Sequence, residues 1–327
     1  MKDLTVRARC CEDIDCCTPM LTPEVIQPRE WAGVPIISSR RVQAILPVAA
    51  MLAAVSLWGP SFVATKIALQ EVPPFTIAFL RFFVTSCLLY PLWRISSRDT
   101  FLDRSSRRYL FFGALFGVTF YFVLSNLGLS FTTAGDAAML MAAIPVICLV
   151  AETLWFRQAI PWRRGLGIIV SIIGVFMVIR QAPSLGGMDR VLGDLLVLAA
   201  TLCWAAYTLI GRTLNRVPKL ALVAHQAMYG MLMLSPFALF EMGQWQKPSL
   251  IPCLSILYLG LMCSAVTYLL YNYALKALEA SQVSTFLNLV PIIGVIAAVL
   301  LLGEQVQLVQ MIGGAVILVG VAVSTRS

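Results

Sequence analysis

Charge is what this sequence has least of. Asp, Glu, Lys and Arg together make up 12% of the 327 residues, whereas soluble domains carry about a quarter, so a single water-soluble core is excluded. Histidine occurs once, at His225. One imidazole cannot build a metal site, and serine or metalloprotease chemistry needs more than it offers. No G-x-x-x-x-G-K-[ST] loop is present, which excludes ATP-driven work by this chain. Cysteine is present nine times but without metal or disulfide spacing. Cys10, Cys11, Cys16 and Cys17 form CCEDIDCC, which lacks C-x-x-C spacing. Cys87, Cys148, Cys203, Cys253 and Cys263 fall in apolar stretches, where a thiol behaves as a small hydrophobe. No cofactor, metal or nucleic acid is expected.

What is abundant is apolar residues, at 59% of the chain with a mean hydropathy of +0.86. Stretches near the ~20 residues that cross a bilayer recur throughout. The fold class expected is all-α and polytopic, with spans near 44–66, 74–93, 109–129, 132–155, 163–180, 191–213, 220–240, 251–274, 280–302 and 308–325. Residues 1–43 differ: six acids, six Lys or Arg and four prolines with few apolar residues read as a disordered tail. A plainer reading of its first part is that translation starts later, for instance at Met20.

Lys and Arg set the orientation. The tail, the loop holding Arg94, Arg98, Arg104, Arg107 and Arg108, and later loops on the same side carry 19 positive residues. Lys66, Arg180, Arg190 and Lys247 lie on the other side. Both termini are therefore expected in the cytoplasm.

Residues 126–177 repeat as 272–323 at a shift of 146 without a gap. Asn126 meets Asn272, Pro145 meets Pro291, Gly167 meets Gly313, and Gly174-Val175 meets Gly320-Val321. Outside that window, Trp58 meets Trp204 and Lys66 meets Arg212. Such self-similarity fixes the architecture: one unit used twice, over 44–181 and 190–327. A unit of five spans is odd, so its second copy must be inverted, a construction that elsewhere builds a site near the midplane.

Trp58-Gly59 followed by S-F-V-A-T-K, Arg81-Phe82 in the second span, and an A…P…(L-G-E)…G…GV pattern in each copy resemble the EamA-type drug/metabolite transporter superfamily. The resemblance covers about 44–325. It implies carriers of small polar or amphipathic metabolites, often amino acids or their derivatives and often moved outward. The sequence departs in one place: Leu302-Gly303-Glu304 is matched in the first copy by Phe156-Arg157-Gln158. No role can therefore require that acid in both halves.

Each candidate site residue has a plainer alternative. Asp136 and Asp194 each follow a glycine at the expected start of a span, where an acid caps a helix. Asp136 is kept as a candidate cation or proton site. Arg81 lies within the second span, where a charge faces a partner or a wet cavity, and reads either as a structural pairing or as a site that attracts an anion. Asn126 and Asn272 are either interhelical glue or opposed walls of one cavity; Gln282 and Asn288 add polar groups to the ninth span. Trp58 and Trp204 fall in mid-span and read as core filling or as an aromatic substrate wall, with Tyr121, Tyr207 and Tyr268 as weaker versions. Pro145 and Pro291 break helix bonds near mid-bilayer and are candidate gating kinks. Glu152 is expected to pair with Arg157, Arg163 or Arg164, and His225 to serve packing.

The function expected is a secondary-active or facilitative exporter working by alternating access, its cavity lined mainly by spans 1, 3, 4, 6, 8 and 9. Drive comes from a proton gradient or from the solute gradient. The expected partners are a small-molecule substrate and membrane lipid, with a homodimer left open and the bacterial inner membrane as location. A channel is the alternative. An intramembrane aspartyl protease would need G-x-G-D, and Thr133 and Val191 stand two residues before the glycine-aspartate pairs. No enzyme activity is expected.

Overall fold

The computed structural model describes residues 40–96, 103–156, 161–180, 182–214, 217–278 and 286–325. The expected tail up to residue 39, and Gln282, lie outside the described residues. In the first half, α1 (Arg40–Trp58) and α2 (Ser61–Ala68) are followed by α3 (Pro74–Ser96) and α4 (Arg104–Ala114). A π-helical segment, Leu115–Phe120, joins α4 to α5 (Tyr121–Phe131), and α6 (Ala134–Met141), α7 (Ile144–Phe156) and α8 (Trp162–Arg180) complete this half. The second half contains α9 (Ala182–Thr213), α10 (Lys219–Phe240) and α11 (Leu250–Leu257). A second π-helical segment, Tyr258–Val266, leads into α12 (Thr267–Ala277), then α13 (Leu289–Leu302) and α14 (Leu308–Thr325). Among the described residues, eight helical stretches are long and apolar enough to cross a membrane, and Leu289–Leu302 and Leu308–Ser324 are shorter apolar helices. Large apolar side chains such as Phe240, Leu300, Phe176 and Ile172 stand exposed on the outside of the bundle, as a lipid-facing surface requires.

Contacts among the connections define one end of the bundle, here end A. Glu241 accepts from the amides of Phe75 and Thr76 at the start of α3 (3.1 and 2.7 Å). Glu304 accepts from the amides of Ala134 and Gly135 at the start of α6 (2.8 and 2.9 Å). Exposed Glu71 accepts from Ser249 N–H and Oγ–H at the start of α11 (2.5 and 2.7 Å), and these bonds hold its carboxyl below the usual range. Each glutamate satisfies helix amides that have no partner in their own helix, at the positive end of the dipole. The reach of Glu304 depends on Gly303, which closes α13 at φ +66°, a left-handed turn that only glycine adopts freely. Arg94, Arg104, Arg107, Arg108 and Lys219 lie at the other end, end B.

The two halves meet reciprocally. Along α8 and α14, a Cβ on Gly167 would lie 2.6 Å from Gly320 O, and one on Gly174 would lie 2.7 Å from Gly313 O. At the shift of 146, Gly167 is the mate of Gly313 and Gly174 the mate of Gly320, so each copy touches the other through exchanged positions. Between them, Ser171 Oγ donates to the carbonyl of Ile317, its own repeat mate, at 3.2 Å. Exchanged contacts around a residue that meets its own mate mark a local two-fold relation between antiparallel helices. The irregularities repeat as well. Leu115–Phe120 shifted by 146 falls within Tyr258–Val266. The break between α6 and α7 at Ala142-Ala143 falls on the turn at Asn288 that precedes α13. Each break lies just before Pro145 or Pro291, whose missing N–H leaves a helix carbonyl unpaired.

Candidate functional site

A cavity of about 630 Å³ lies between the two halves. Its walls run from Thr65 and Leu129, towards end A, to Gly211 and Lys219 at end B. Trp58, Asn126, Pro145, Trp204, Asn288, Pro291 and Arg81 all line it, as do Tyr121, Tyr207 and Tyr268. Arg81 on α3 and Lys219, Leu222 and Val223 on α10 bring in the second and seventh spans, which the expected lining left out. Asp136 is not among the residues of the wall, and the side chain of Asn272 lies outside the described residues.

The two tryptophans are held differently. Trp58 ends α1 at a break made by Gly59 and Pro60. Its Nε1–H donates to Cys263 O at 2.9 Å, and its ring packs on Tyr268 and Tyr271 at 5.7 and 5.6 Å. The break also frees the Leu57 and Trp58 carbonyls, which accept from Tyr258 Oη (2.7 Å) and Ser61 Oγ (2.6 Å). Trp204 lies in the interior of α9 and packs on Tyr121 and Tyr207, both at 5.1 Å. No bond from its indole N–H is found among the described residues. Each tryptophan thus contacts an aromatic residue of the opposite half, Trp58 on α12 and Trp204 on α5.

The cavity wall is cationic. Arg81 Nε donates to Ser264 Oγ at 2.6 Å, and its guanidinium carbon lies 4.5 Å from the Phe122 ring centre. No carboxylate pairs with it among the described residues. Among the described residues Lys219 is the second cation of the wall, and no Asp, Glu or His lines the cavity. A buried guanidinium without an anionic partner is unfavourable unless a wet cavity or an anion meets it.

Below Leu129, at end A, the bundle is sealed by buried and half-buried polar groups. Lys66 Nζ donates to the carbonyls of Leu129 and Thr132 (2.6 and 2.5 Å). Asp136 is 1% exposed and accepts from Arg190 Nε (2.8 Å) and Nη2 (2.5 Å) through Oδ2, and from Gln310 Nε2 (2.7 Å) through Oδ1. Its carboxylate is therefore committed to an ion pair, and Thr133 is the residue that caps α6, accepting from Asp136 N–H. Asp194 is fully buried and is not a helix cap: α9 begins at Ala182, well before it. Asp136 does stand in the first turn of α6, as the sequence suggests, but the groups that bond its carboxyl lie far away in the chain. Arg190 is 54 positions from Asp136, and Gln310 is 174.

Other expected positions are settled more simply. Asn126 Nδ2 donates to Pro74 O at 3.0 Å while lining the cavity. Asn288 lines it with no side-chain cap bond. Asn272 lies on α12. His225 packs on Trp93 at 4.4 Å, and its Nδ1 lies 2.8 Å from Ala221 O. Phe122, which stacks on Arg81, carries no sequence signal beyond its aromatic side chain.

A multi-pass helical membrane protein with a closed-ended cavity between two related halves is the class these features define. The sequence profile of the EamA-like transporter family matches residues 45–180 and again 191–326. The chain belongs to that family. An uncharacterized transporter of Archaeoglobus fulgidus is 31% identical over 278 residues, covering 82% of this chain and 93% of that protein. Another from the same organism is 28% identical over 276 residues, covering 83% and 96%. The uncharacterized transporter YetK of Bacillus subtilis is 25% identical over 280 residues, covering 84% and 85%. One solved crystal structure superposes with a TM-score of 0.59 at 18% identity, covering 88% of this chain and 98% of the other.

Proposed function

We propose that this membrane transporter is an alternating-access carrier for small amphipathic metabolites bearing an anionic group, amino acids and their derivatives among them. The observation that carries this reading is the cationic wall: among the described residues Arg81 and Lys219 face the cavity and no acid does. The substrate's carboxylate binds at Arg81, where planar donors match its two oxygens. Its apolar part lies against Trp58, Trp204 and their tyrosines, and the amides of Asn126 and Asn288 meet its polar groups. The carrier has ten crossings built as two inverted five-helix repeats, and the reciprocal packing of α8 on α14 supports that arrangement. End B, rich in Lys and Arg, faces the cytoplasm of a bacterial inner membrane, with both termini there. The cavity reaches Gly211 and Lys219 at that end and stops at the polar seal of end A, the form expected of a carrier loading from inside for export.

In proteoliposomes, uptake of candidate amino acids should fall at least tenfold when the carboxylate is esterified. Arg81→Gln should abolish uptake, with Arg81→Lys retaining a fraction of it. Equal flux of acid and ester, or wild-type flux in Arg81→Gln, would refute the anion-binding role. Flux that neither saturates nor responds to substrate on the far side would make the protein a channel.

A further inference from the structure

The end-A seal contains a carboxyl that the carrier reading leaves unused. Asp194 on α9 is fully buried. Its Oδ1 accepts from Thr132 Oγ at 2.5 Å, and its Oδ2 has no hydrogen-bond partner among the described residues. The groups around it can be named element by element. Thr132 comes from the α5–α6 connection, Asp136 from α6, and Arg190 from the preceding turn of α9. Lys66 on α2, Glu304 after α13 and Gln310 on α14 complete the cluster.

Counting charge decides the state of Asp194. Lys66 and Arg190 supply two positive charges; Asp136 and Glu304 supply two negative ones. Arg190 is already bonded to Asp136, Lys66 to two carbonyls, and Glu304 to two amides. An ionised Asp194 would be a third negative charge in a closed site, with one oxygen unpaired beside the Asp136 carboxylate. Burial strongly disfavours that form, and so does a like charge nearby. A neutral carboxyl leaves only an O–H unmet.

We infer that Asp194 is a proton-binding site: the seal at end A closes with a proton on this carboxyl and opens as the proton leaves. Opening admits water, which solvates the carboxylate. By linkage, a higher pH on the end-A side favours the open form, by at most about tenfold in the open-to-closed ratio per pH unit for one proton. The proton moves from the Asp194 carboxyl to water on opening and returns on closure. The coupling of this step to solute movement rests on the carrier reading; the proton site itself does not.

The test uses the full chain in liposomes without substrate. Infrared spectroscopy at neutral pH should show the C=O stretch of a protonated carboxylic acid, absent in Asp194→Asn and moved in frequency in Thr132→Val, which removes the donor to Oδ1. Hydrogen–deuterium exchange, corrected for intrinsic rate, should show the Ala134 and Gly135 amides losing protection as pH rises in wild type, while Asp194→Asn keeps them protected throughout. A wild-type spectrum lacking the band, or a band unchanged in Asp194→Asn and Thr132→Val, overturns the proton site. Equal loss of protection in wild type and Asp194→Asn overturns the link to opening. A proton site present in a protein that moves no solute would instead sink the carrier reading.

Discussion

At the scale of single residues, Trp58 and Trp204 are repeat mates with different attachments, and their substitution should separate structure from binding. The Trp58 indole donates to Cys263 O across the two halves, so Trp58→Phe loses a partly buried hydrogen bond worth about 0.5–1.5 kcal/mol and should lower the thermal midpoint in detergent. Trp204 makes only ring contacts with Tyr121 and Tyr207. Trp204→Phe should therefore leave the midpoint within error, while Trp204→Ala reduces substrate affinity severalfold by removing the aromatic wall. The reverse pattern would assign the substrate contact to Trp58. The pair was legible from the sequence because matched mid-span tryptophans need only the repeat to be seen. Their different attachments were not, because the Gly59-Pro60 break has only Ala205-Ala206 opposite it in the second copy. The partner of Asp136 was hidden for a related reason: a first-turn acid fits the cap pattern, and nothing local announces an arginine on a helix three elements later.

At the scale of elements, the glycines of α8 and α14 let two helix backbones touch. A Cβ at Gly174 would meet Gly313 O and Ile317 N, both at 2.7 Å. Backbone cannot yield as a side-chain tip does, so Gly174→Ala should cost about 1–3 kcal/mol through forced separation of the helices. Gly211, late in α9, has nothing within 4 Å of its Cβ position. Gly211→Ala should be neutral or stabilising by up to about 1 kcal/mol, since alanine loses less backbone freedom. Thermal unfolding of the two variants in one detergent checks the contrast. A stable Gly174→Ala would mean that α8 and α14 are not pressed together. The sequence showed these glycines as repeat mates, because close packing writes itself in residue size. The π-helical segments were hidden. Neither carries proline, and the second is fixed by tertiary partners: Thr85 Oγ–H meets Gly260 O at 3.0 Å, and Trp58 meets Cys263 O. Such carbonyls are freed by the wider turn and taken up by other helices, a balance no local window contains.

At the scale of the whole molecule, everything proposed for transport depends on the two repeats facing opposite ways, and the chain offers an internal test. The connection after α3, over 97–103, and the one after α10, over 241–249, include equivalent positions at the shift of 146. In parallel repeats they would share a side of the membrane; in inverted repeats they lie on opposite sides. Their charges already differ. Arg98, with Arg104, Arg107 and Arg108 just beyond, marks the first, whereas Lys247 is the one Lys or Arg of the second. Gln246 and Ser105 are not buried in the structure, Gln246 being exposed and Ser105 standing in the first turn of α4. In intact cells, Gln246→Cys should react with a membrane-impermeant maleimide, and Ser105→Cys only after permeabilisation, each measured against the labelling of the parent chain's own cysteines. Reaction of both from the same side would leave the α8–α14 contact as packing between like-oriented units. It would also remove the physical reason for one cavity to be reached from two faces, because only inversion makes the closed end of one repeat the structural counterpart of the open end of the other.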